Sequence, residues 1–189
     1  KRSVFDSLWG ALSAEMRQAE NRPDATFYAE KAPNYLADKL SQFTDMSCIQ
    51  LVRDPRDILL STKSFNAKRG TRKFGWQEDD TDESYAFRLI RRTRRRLTDL
   101  QTERKNGSSL IVKYEDLVTD QASTIKAMSE WVGTEFTAPP QDPDYLAKHS
   151  TSKNVGTSVA RWKTQMDPKV AEMFSKEIPD LLNAFGYEA

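Results

Sequence analysis

One stretch of this sequence, CIQLVRDPRDILLSTKSF at residues 48–65, constrains the fold more than any other. Its first five residues, 48–52, are mostly apolar and rich in β-favouring side chains, which predicts a largely buried strand. The strand runs out at Arg53. Asp54 is suited to cap a helix that begins at Pro55, because proline lacks the N–H that would have no partner in a first helical turn. The stretch therefore predicts a strand, a tight turn and a helix.

Arg53 and Ser61 are candidates for an anion site on this unit. In open parallel α/β sheets ligands bind beyond the carboxyl ends of the strands, where Arg53 would stand. Ser61 follows about two helical turns later, at the border of the face that should pack on the sheet. A guanidinium and a hydroxyl can both donate hydrogen bonds to one phosphate. The alternative is that Arg53 pairs with Asp54 or Asp57 and Ser61 is a small packing residue, and this stretch alone does not decide between them.

Elsewhere predicted strands alternate with predicted helices, which indicates an α/β layered domain with a parallel sheet. Strands are predicted at 25–30 and 109–113, and helices at 3–19, 34–43, 84–105, 122–132 and 168–185. A polar loop at 68–82 is basic at first and then acidic. Loops of this length in a compact domain are often functional, so this one could line an acceptor site.

The composition fits a single soluble domain over residues 1–189, long enough to bury a core. Lys plus Arg is 29 and Asp plus Glu is 28, so net charge does not indicate a nucleic-acid binder. No apolar run approaches the roughly 18 residues of a membrane span. With one cysteine, Cys48, no intrachain disulfide can form, which is compatible with a cytoplasmic protein. One cysteine and one histidine, His149, argue against a zinc site, and no metal is predicted.

The glycines and the first residues add two constraints. None of the seven glycines belongs to a G-x-x-x-x-G-K-[ST] or G-x-G-x-x-G loop. The sequence therefore lacks the phosphate-binding loop on which a kinase or dinucleotide-binding function would depend. The chain opens KRSVFDSLWGAL without an initiating methionine and already in an amphipathic pattern. This predicts that an N-terminal segment precedes the given sequence.

The basic run RRTRRR at residues 91–96 lies in a predicted helix. On a helix these arginines spread around the polar side, with acidic residues 78–83 nearby in sequence. A solvated or internally paired face is therefore favoured over a nucleic-acid site. A basic-helix module that binds nucleic acid stays open as an alternative function.

Four motifs, in family order, resemble segments of sulfotransferases that use PAPS (3′-phosphoadenylyl sulfate), of the bacterial and carbohydrate type. They are EKAPNYL at 30–36, RDPRDILLS at 53–61, KYEDL at 113–117, and NVG at 154–156 followed by ARW at 160–162. The resemblance implies a P-loop-NTPase-like three-layer α/β sandwich with a parallel sheet. Members open with a PKSGTT-type segment around the 5′-phosphosulfate, which this sequence does not contain. The resemblance therefore implies a truncated domain whose first strand and P-loop are missing.

The resemblance also implies roles for individual residues. The family transfers a sulfuryl group from PAPS to an acceptor hydroxyl or amine, releases PAP, and uses cations rather than a metal. By resemblance, Lys31 lies near the transferred group, Arg53 and Ser61 hold the 3′-phosphate, Tyr114 contacts the adenine nucleotide, and Lys153, Asn154 and Gly156 belong to a loop that closes over the 3′-phosphate. The physical expectation is that Lys31 and Arg53 issue from neighbouring strand ends and face one crevice.

Several points depart from the family pattern or stay open. Ala32 stands where serine or threonine is commoner, and Val155, Gly156 and Thr157 occupy the place of the Arg-Lys-Gly triplet of the cytosolic enzymes. No catalytic base is assigned. In the family it is a histidine or a glutamate, often near the P-loop segment that this sequence does not contain, and Glu30 is a poor second choice because strand alternation points it away from Lys31. The acceptor could be a carbohydrate, a lipid head group or a small natural product. An inactive nucleotide-binding remnant is a second alternative function.

Overall fold

A computed structural model describes residues 2–27, 29–31, 47–105, 109–137 and 156–189. The chain divides into two compact units, Lys1–Cys48 and Ile49–Ala189. In the first unit the described regular element is α1, Arg2–Ala19, which confirms the predicted first helix. That these units act as a single domain stays a prediction.

The second unit is a mixed α/β structure with a small parallel sheet, in which strands β1 and β2 are neighbours. In chain order the elements are β1 (Cys48–Val52), α2 (Pro55–Arg69), α3 (Asp82–Lys105), β2 (Ser109–Lys113), α4 (Tyr114–Thr119), α5 (Gln121–Val132), a 3-10 turn (Gly156–Ser158), α6 (Trp162–Gln165), α7 (Pro168–Glu177) and α8 (Pro179–Ala184). The predicted strand at 109–113 and the helices near 84–105 and 122–132 are confirmed.

The strand, turn and helix predicted for residues 48–65 form as expected. Asp54 is the N-cap of α2 and its carboxylate accepts the backbone N–H of Arg56 at 2.9 Å. Pro55 occupies the first turn, and Asp57 places negative charge at the positive end of the helix dipole. The helix ends at Gly70, whose φ of +59° suits glycine because it has no Cβ.

The core forms where α3 packs against α2, β2, α7 and α8. Apolar residues recur along α3 at helical spacing and are buried as predicted: Ala86, Leu89, Ile90, Leu97 and Leu100. They meet fully buried side chains from the neighbouring helices: Leu59, Val170, Phe174 and Leu182. This core fixes α2 and the tail helices on one scaffold, so the strand end at Arg53 is held from several sides.

Two predictions for local structure are wrong in part. Residues 25–27 and 29–31 are irregular rather than a strand, because a strand needs a hydrogen-bonded neighbouring strand, and neither of the described strands, β1 and β2, pairs with them. The single tail helix is two helices, α7 and α8, which meet at Ile178. Pro179 lacks an N–H and disfavours a helical conformation in the preceding residue, and Ile178 has φ −136°.

The loop at 70–81 is held against α3 by a hydrogen bond, a contact between aromatic rings and an ion pair. The Tyr85 hydroxyl donates to the carbonyl of Phe74 at 3.0 Å, and the rings of Trp76 and Tyr85 pack with centroids 4.5 Å apart. Arg88 forms an ion pair with Asp80, and this hydrogen bond lowers the pKa of Asp80 from 3.8 to about 2. The acidic half of this loop is therefore neutralised in part by the basic helix beside it.

Replacing Asp80 with asparagine is expected to lower the free energy of unfolding at pH 7 by about 1 kcal/mol. Because the folded pKa lies below the ordinary value, the stabilisation is present above pH 3.8 and is lost as pH falls towards about 2. Urea denaturation at pH 7 and pH 2.5 measures the difference. Asp79→Asn, an exposed change in the same loop, is the control. If the difference in unfolding free energy between wild type and D80N is the same at pH 7 and pH 2.5, the stabilising role of the ionised Asp80 is contradicted.

Candidate functional site

Arg53, Tyr114 and Ser158 come together at the ends of the two strands. The Arg53 guanidinium lies over the Tyr114 ring, 4.3 Å from its centroid, and Nη2 donates to the carbonyl of Ser158 at 2.8 Å. The hydroxyls of Tyr114 and Ser158 are 2.7 Å apart. Arg53 is half-buried and its Nε is buried with no acceptor among the described residues. A guanidinium has five N–H donors, and the bond to Ser158 uses one of them.

One of the two alternative partners considered for Arg53, Asp54, pairs with another arginine. Asp54 forms its ion pair with Arg56, at 2.8 Å between Oδ2 and Nη2, and both side chains are almost fully buried. Arg56 Nη2 also donates to the carbonyl of Glu188 at 2.6 Å, and its guanidinium stacks 3.6 Å from the centroid of the Trp162 ring. Arg56 therefore neutralises Asp54, and the Arg53 guanidinium faces Tyr114 and Ser158.

The segment 158–162 packs against the β1–α2 unit. Asp57 accepts the backbone N–H of Trp162 at 3.0 Å, and Arg161 Nη2 donates to the Ser64 hydroxyl at 3.1 Å. These bonds, with the bond from Arg53 to Ser158, attach the segment to the β1–α2 unit at three points. The turn after β1 thus organises a loop more than 90 residues away in sequence.

Asp57 is fully buried, and burial raises the pKa of its carboxyl group because the charged form is desolvated. The hydrogen bond from the Trp162 N–H opposes this shift. Its second oxygen, Oδ2, has no donor among the described residues. Asp57 is thus a buried acceptor whose established partner is the backbone of the docked segment.

Ala160 lies in this segment with φ +55°, a left-handed conformation that disfavours residues with a Cβ. Replacing Ala160 with glycine is expected to stabilise the fold by about 0.5 kcal/mol, after allowing for the greater freedom of glycine in the unfolded chain. Chemical denaturation measures this change. Ala171→Gly, in the middle of α7, is the control and should destabilise by about 1 kcal/mol. Equal losses in both variants would show that the strain at Ala160 is not significant.

The remaining predicted site residues fall in three groups. Ser61 is half-buried on α2, and Gly156 is exposed at the start of the 3-10 turn. Lys31 is exposed in the first unit, so its predicted place beside Arg53 stays a prediction. Lys153 and Asn154 lie outside the described residues. The structure therefore brings Arg53 and Tyr114 together and leaves the other assignments as predictions.

Three contributors to the site were missed by sequence reasoning: Arg56, Ser158 and Arg161. Arg56 carried a signal, since an arginine two residues after an N-capping aspartate at a strand end can pair with it. Ser158 carried none. Arg161 stands in the ARW motif at 160–162, but the motif gave it no role, and both residues reach the β1–α2 unit only through the folding of a distant segment.

A cavity of about 260 Å³ lies beside the turn. Its walls are mostly charged and include Arg56, Asp57, Lys113, Glu115 and Lys163. This volume is below the range of roughly 300–1,000 Å³ that is typical of small-molecule sites. We therefore do not assign a nucleotide to it.

The described ranges contain neither a metal-binding cluster nor a membrane-spanning helix. Within them, no group of three or more His, Cys, Asp or Glu residues is arranged to hold a metal ion. No helix in the described ranges has the length and apolarity to cross a membrane.

Comparisons with known proteins agree with the sequence motifs. A family model described as Sulfotransferase family matches residues 4–138. Carbohydrate sulfotransferase 3 from Homo sapiens is 26% identical over 76% of this chain, and the Mus musculus protein of that name is 25% identical over 76%. The solved sulfotransferase domain from the Synechococcus PCC 7002 olefin synthase superposes with a TM-score of 0.60 over 95% of this chain at 20% identity. This structural likeness confirms the predicted P-loop-NTPase-like α/β fold.

The matches cover only part of each relative, and the family model does not reach the C-terminal segment of this chain. This chain spans about a third of the length of the curated relatives, 34% of each, and 64% of the solved chain. The family match includes Lys31, Arg53, Ser61 and Tyr114 and ends before residue 153. The roles predicted for Lys153, Asn154 and Gly156 therefore stay predictions.

Proposed function

This chain belongs to the sulfotransferase family, and on that premise we propose that it transfers a sulfuryl group from PAPS to an acceptor hydroxyl or amine and releases PAP. The observation that carries the proposal is the arrangement of Arg53 over Tyr114 at the ends of two neighbouring parallel strands. Ligands of such sheets bind beyond these ends. Arg53 supplies a permanent positive charge there, and Tyr114 supplies an aromatic surface with a hydroxyl.

The residues at this edge fit an adenine nucleotide with a 3′-phosphate. A phosphomonoester carries a charge of about −1.5 to −2 at pH 7, and a guanidinium matches its oxygens with a planar fork of donors. Asp54 does not compete for Arg53, because Arg56 neutralises it. Arg161, which reaches Ser64 one helical turn after Ser61, is a second cation beside the same helix. We assign the 3′-phosphate to Arg53 and Ser61 on this basis.

Bound PAPS supplies the activated sulfuryl group, and the protein supplies positioning and charge. In transfers of this type catalysis comes chiefly from in-line alignment and from cations that stabilise negative charge on the oxygens. We assign the cation at the sulfuryl end to Lys31, which lies in the EKAPNYL motif within the family match. The acceptor's proton needs a base, and the assignment of that base stays open.

We propose a carbohydrate as the acceptor class. The support is the name of the matched curated relatives, carbohydrate sulfotransferase 3, which share about a quarter of their residues with this chain over the matched region. The loop at 70–81, fastened to α3, is the proposed acceptor-facing loop.

The function is tested by calorimetry and by turnover measurements on the protein. We expect PAP to bind more tightly than 5′-AMP, which lacks the 3′-phosphate, and radiolabelled sulfate from PAPS to appear on a carbohydrate acceptor. Equal affinity for PAP and 5′-AMP would refute the proposed site. Binding of PAP with no transfer to carbohydrate, lipid or small hydroxyl acceptors would support the alternative of an inactive nucleotide-binding protein.

A further inference from the structure

Glu115 links the two strand ends to the C-terminal tail. Its Oε1 accepts the backbone N–H of Asp54 at 3.0 Å, and its Oε2 accepts the Tyr187 hydroxyl at 3.1 Å. Glu115 and Tyr187 are in contact across 72 positions of sequence, and Tyr187 is 7% exposed. Each carboxylate oxygen therefore accepts a hydrogen bond, and the two donors come from different parts of the fold.

The contact with Asp54 lies directly beside the anion-binding arginine. The Asp54 N–H belongs to the planar peptide group that joins Arg53 to Asp54, so holding it fixes the backbone angle ψ of Arg53. Arg53 immediately precedes Asp54, and Tyr114 immediately precedes Glu115. The Arg53 guanidinium lies over the Tyr114 ring. The pairs Arg53–Tyr114 and Asp54–Glu115 thus form two successive contacts just beyond the ends of β1 and β2.

We propose that Glu115 is a positioning residue for the nucleotide site: its hydrogen bond to the Asp54 N–H sets the direction in which the Arg53 guanidinium leaves the strand. The inference rests on the proposed function. Glu115 itself touches no reacting group, and it acts through Arg53. The Tyr187 hydroxyl holds the carboxylate in place, and Lys113 Nζ lies over the Tyr187 ring, 4.8 Å from its centroid.

Three substitutions separate this role from a general structural one. Glu115→Ala removes both acceptors and should weaken PAP binding about tenfold, the effect of losing one aligned hydrogen bond. Glu115→Gln keeps a carbonyl oxygen for the Asp54 N–H and should stay within about twofold of wild type. Tyr187→Phe removes only the second anchor and should give a loss of about threefold. Affinity for 5′-AMP should be unchanged in all three.

Calorimetry with PAP and with 5′-AMP on the protein measures these changes. Asp116→Ala removes the same charge from the neighbouring, exposed residue and is the control. The inference is overturned if folded E115A binds PAP like wild type, if E115Q loses as much as E115A, or if PAP and 5′-AMP weaken equally. If E115A does not fold, the PAP affinities of E115Q and Y187F are compared instead. A Y187F protein that binds PAP as tightly as wild type also overturns the inference. Failure of wild type to prefer PAP over 5′-AMP would instead refute the proposed function.

Discussion

Replacing Arg53 with alanine is expected to weaken PAP binding by roughly 30-fold or more, since truncating one partner of a charge-assisted contact with a phosphate costs about 2 to 5 kcal/mol. The loss should depend on the 3′-phosphate, so 5′-AMP should bind the variant and wild type alike. Arg53→Lys should recover part of the affinity, because lysine keeps the charge but not the planar fork of donors. Titration calorimetry measures the affinities of wild type, R53A and R53K for PAP and for 5′-AMP.

Two controls make the Arg53 result specific. Arg95→Ala removes an exposed arginine from α3 and should leave PAP affinity unchanged. Thermal denaturation of R53A reports the stability contributed by the bond to Ser158, which is separate from ligand affinity. An R53A protein that is folded and binds PAP as tightly as wild type would refute the anion site at this strand end.

Replacing Arg56 with methionine is expected to destabilise the fold by about 3 to 5 kcal/mol, because it leaves the buried carboxylate of Asp54 without its cation. The variant also loses the donor to the Glu188 carbonyl and the stacking on Trp162. Urea denaturation at pH 7 measures the change, and R95A, with an expected effect within about 0.5 kcal/mol, is the matched control.

A double variant tests whether the Arg56 effect comes from the orphaned charge. Asp54→Asn combined with Arg56→Met removes both charges, and asparagine remains a good N-cap for α2. The double variant should therefore be more stable than R56M alone. If R56M does not fold, a folded double variant supports the same conclusion. A double variant less stable than R56M would show that packing rather than charge dominates.

The strand, turn and helix at 48–65 could be predicted because each signal is local. A short apolar run, an N-capping aspartate, a proline in the first turn and a glycine after the last turn act within a few residues. The same holds for α3, whose apolar spacing matches its buried face. The failed strand at 25–30 shows the limit, because a strand depends on a partner that its own residues do not specify.

The pairing of the arginines illustrates what lay beyond sequence reasoning. Arg53 and Arg56 lie one and two residues from Asp54, and sequence reasoning considered only Arg53 as its partner. The structure places Arg56 in the buried pair because the Glu188 carbonyl and the Trp162 ring lie on that side. Both partners come from the C-terminal segment, so the choice is made by tertiary contacts.

By itself the sequence determined the family, the α/β class and the identity of Arg53 and Ser61 as candidates, because motifs and caps are written in neighbouring residues. Only the tertiary structure decided that Ser158 and Arg161 meet the β1–α2 unit and that Glu115 joins Asp54 to Tyr187. These contacts join residues 61 to 105 positions apart. No local preference encodes them, since they form only when the shared core of α2, α3, α7 and α8 brings the strand ends and the tail together.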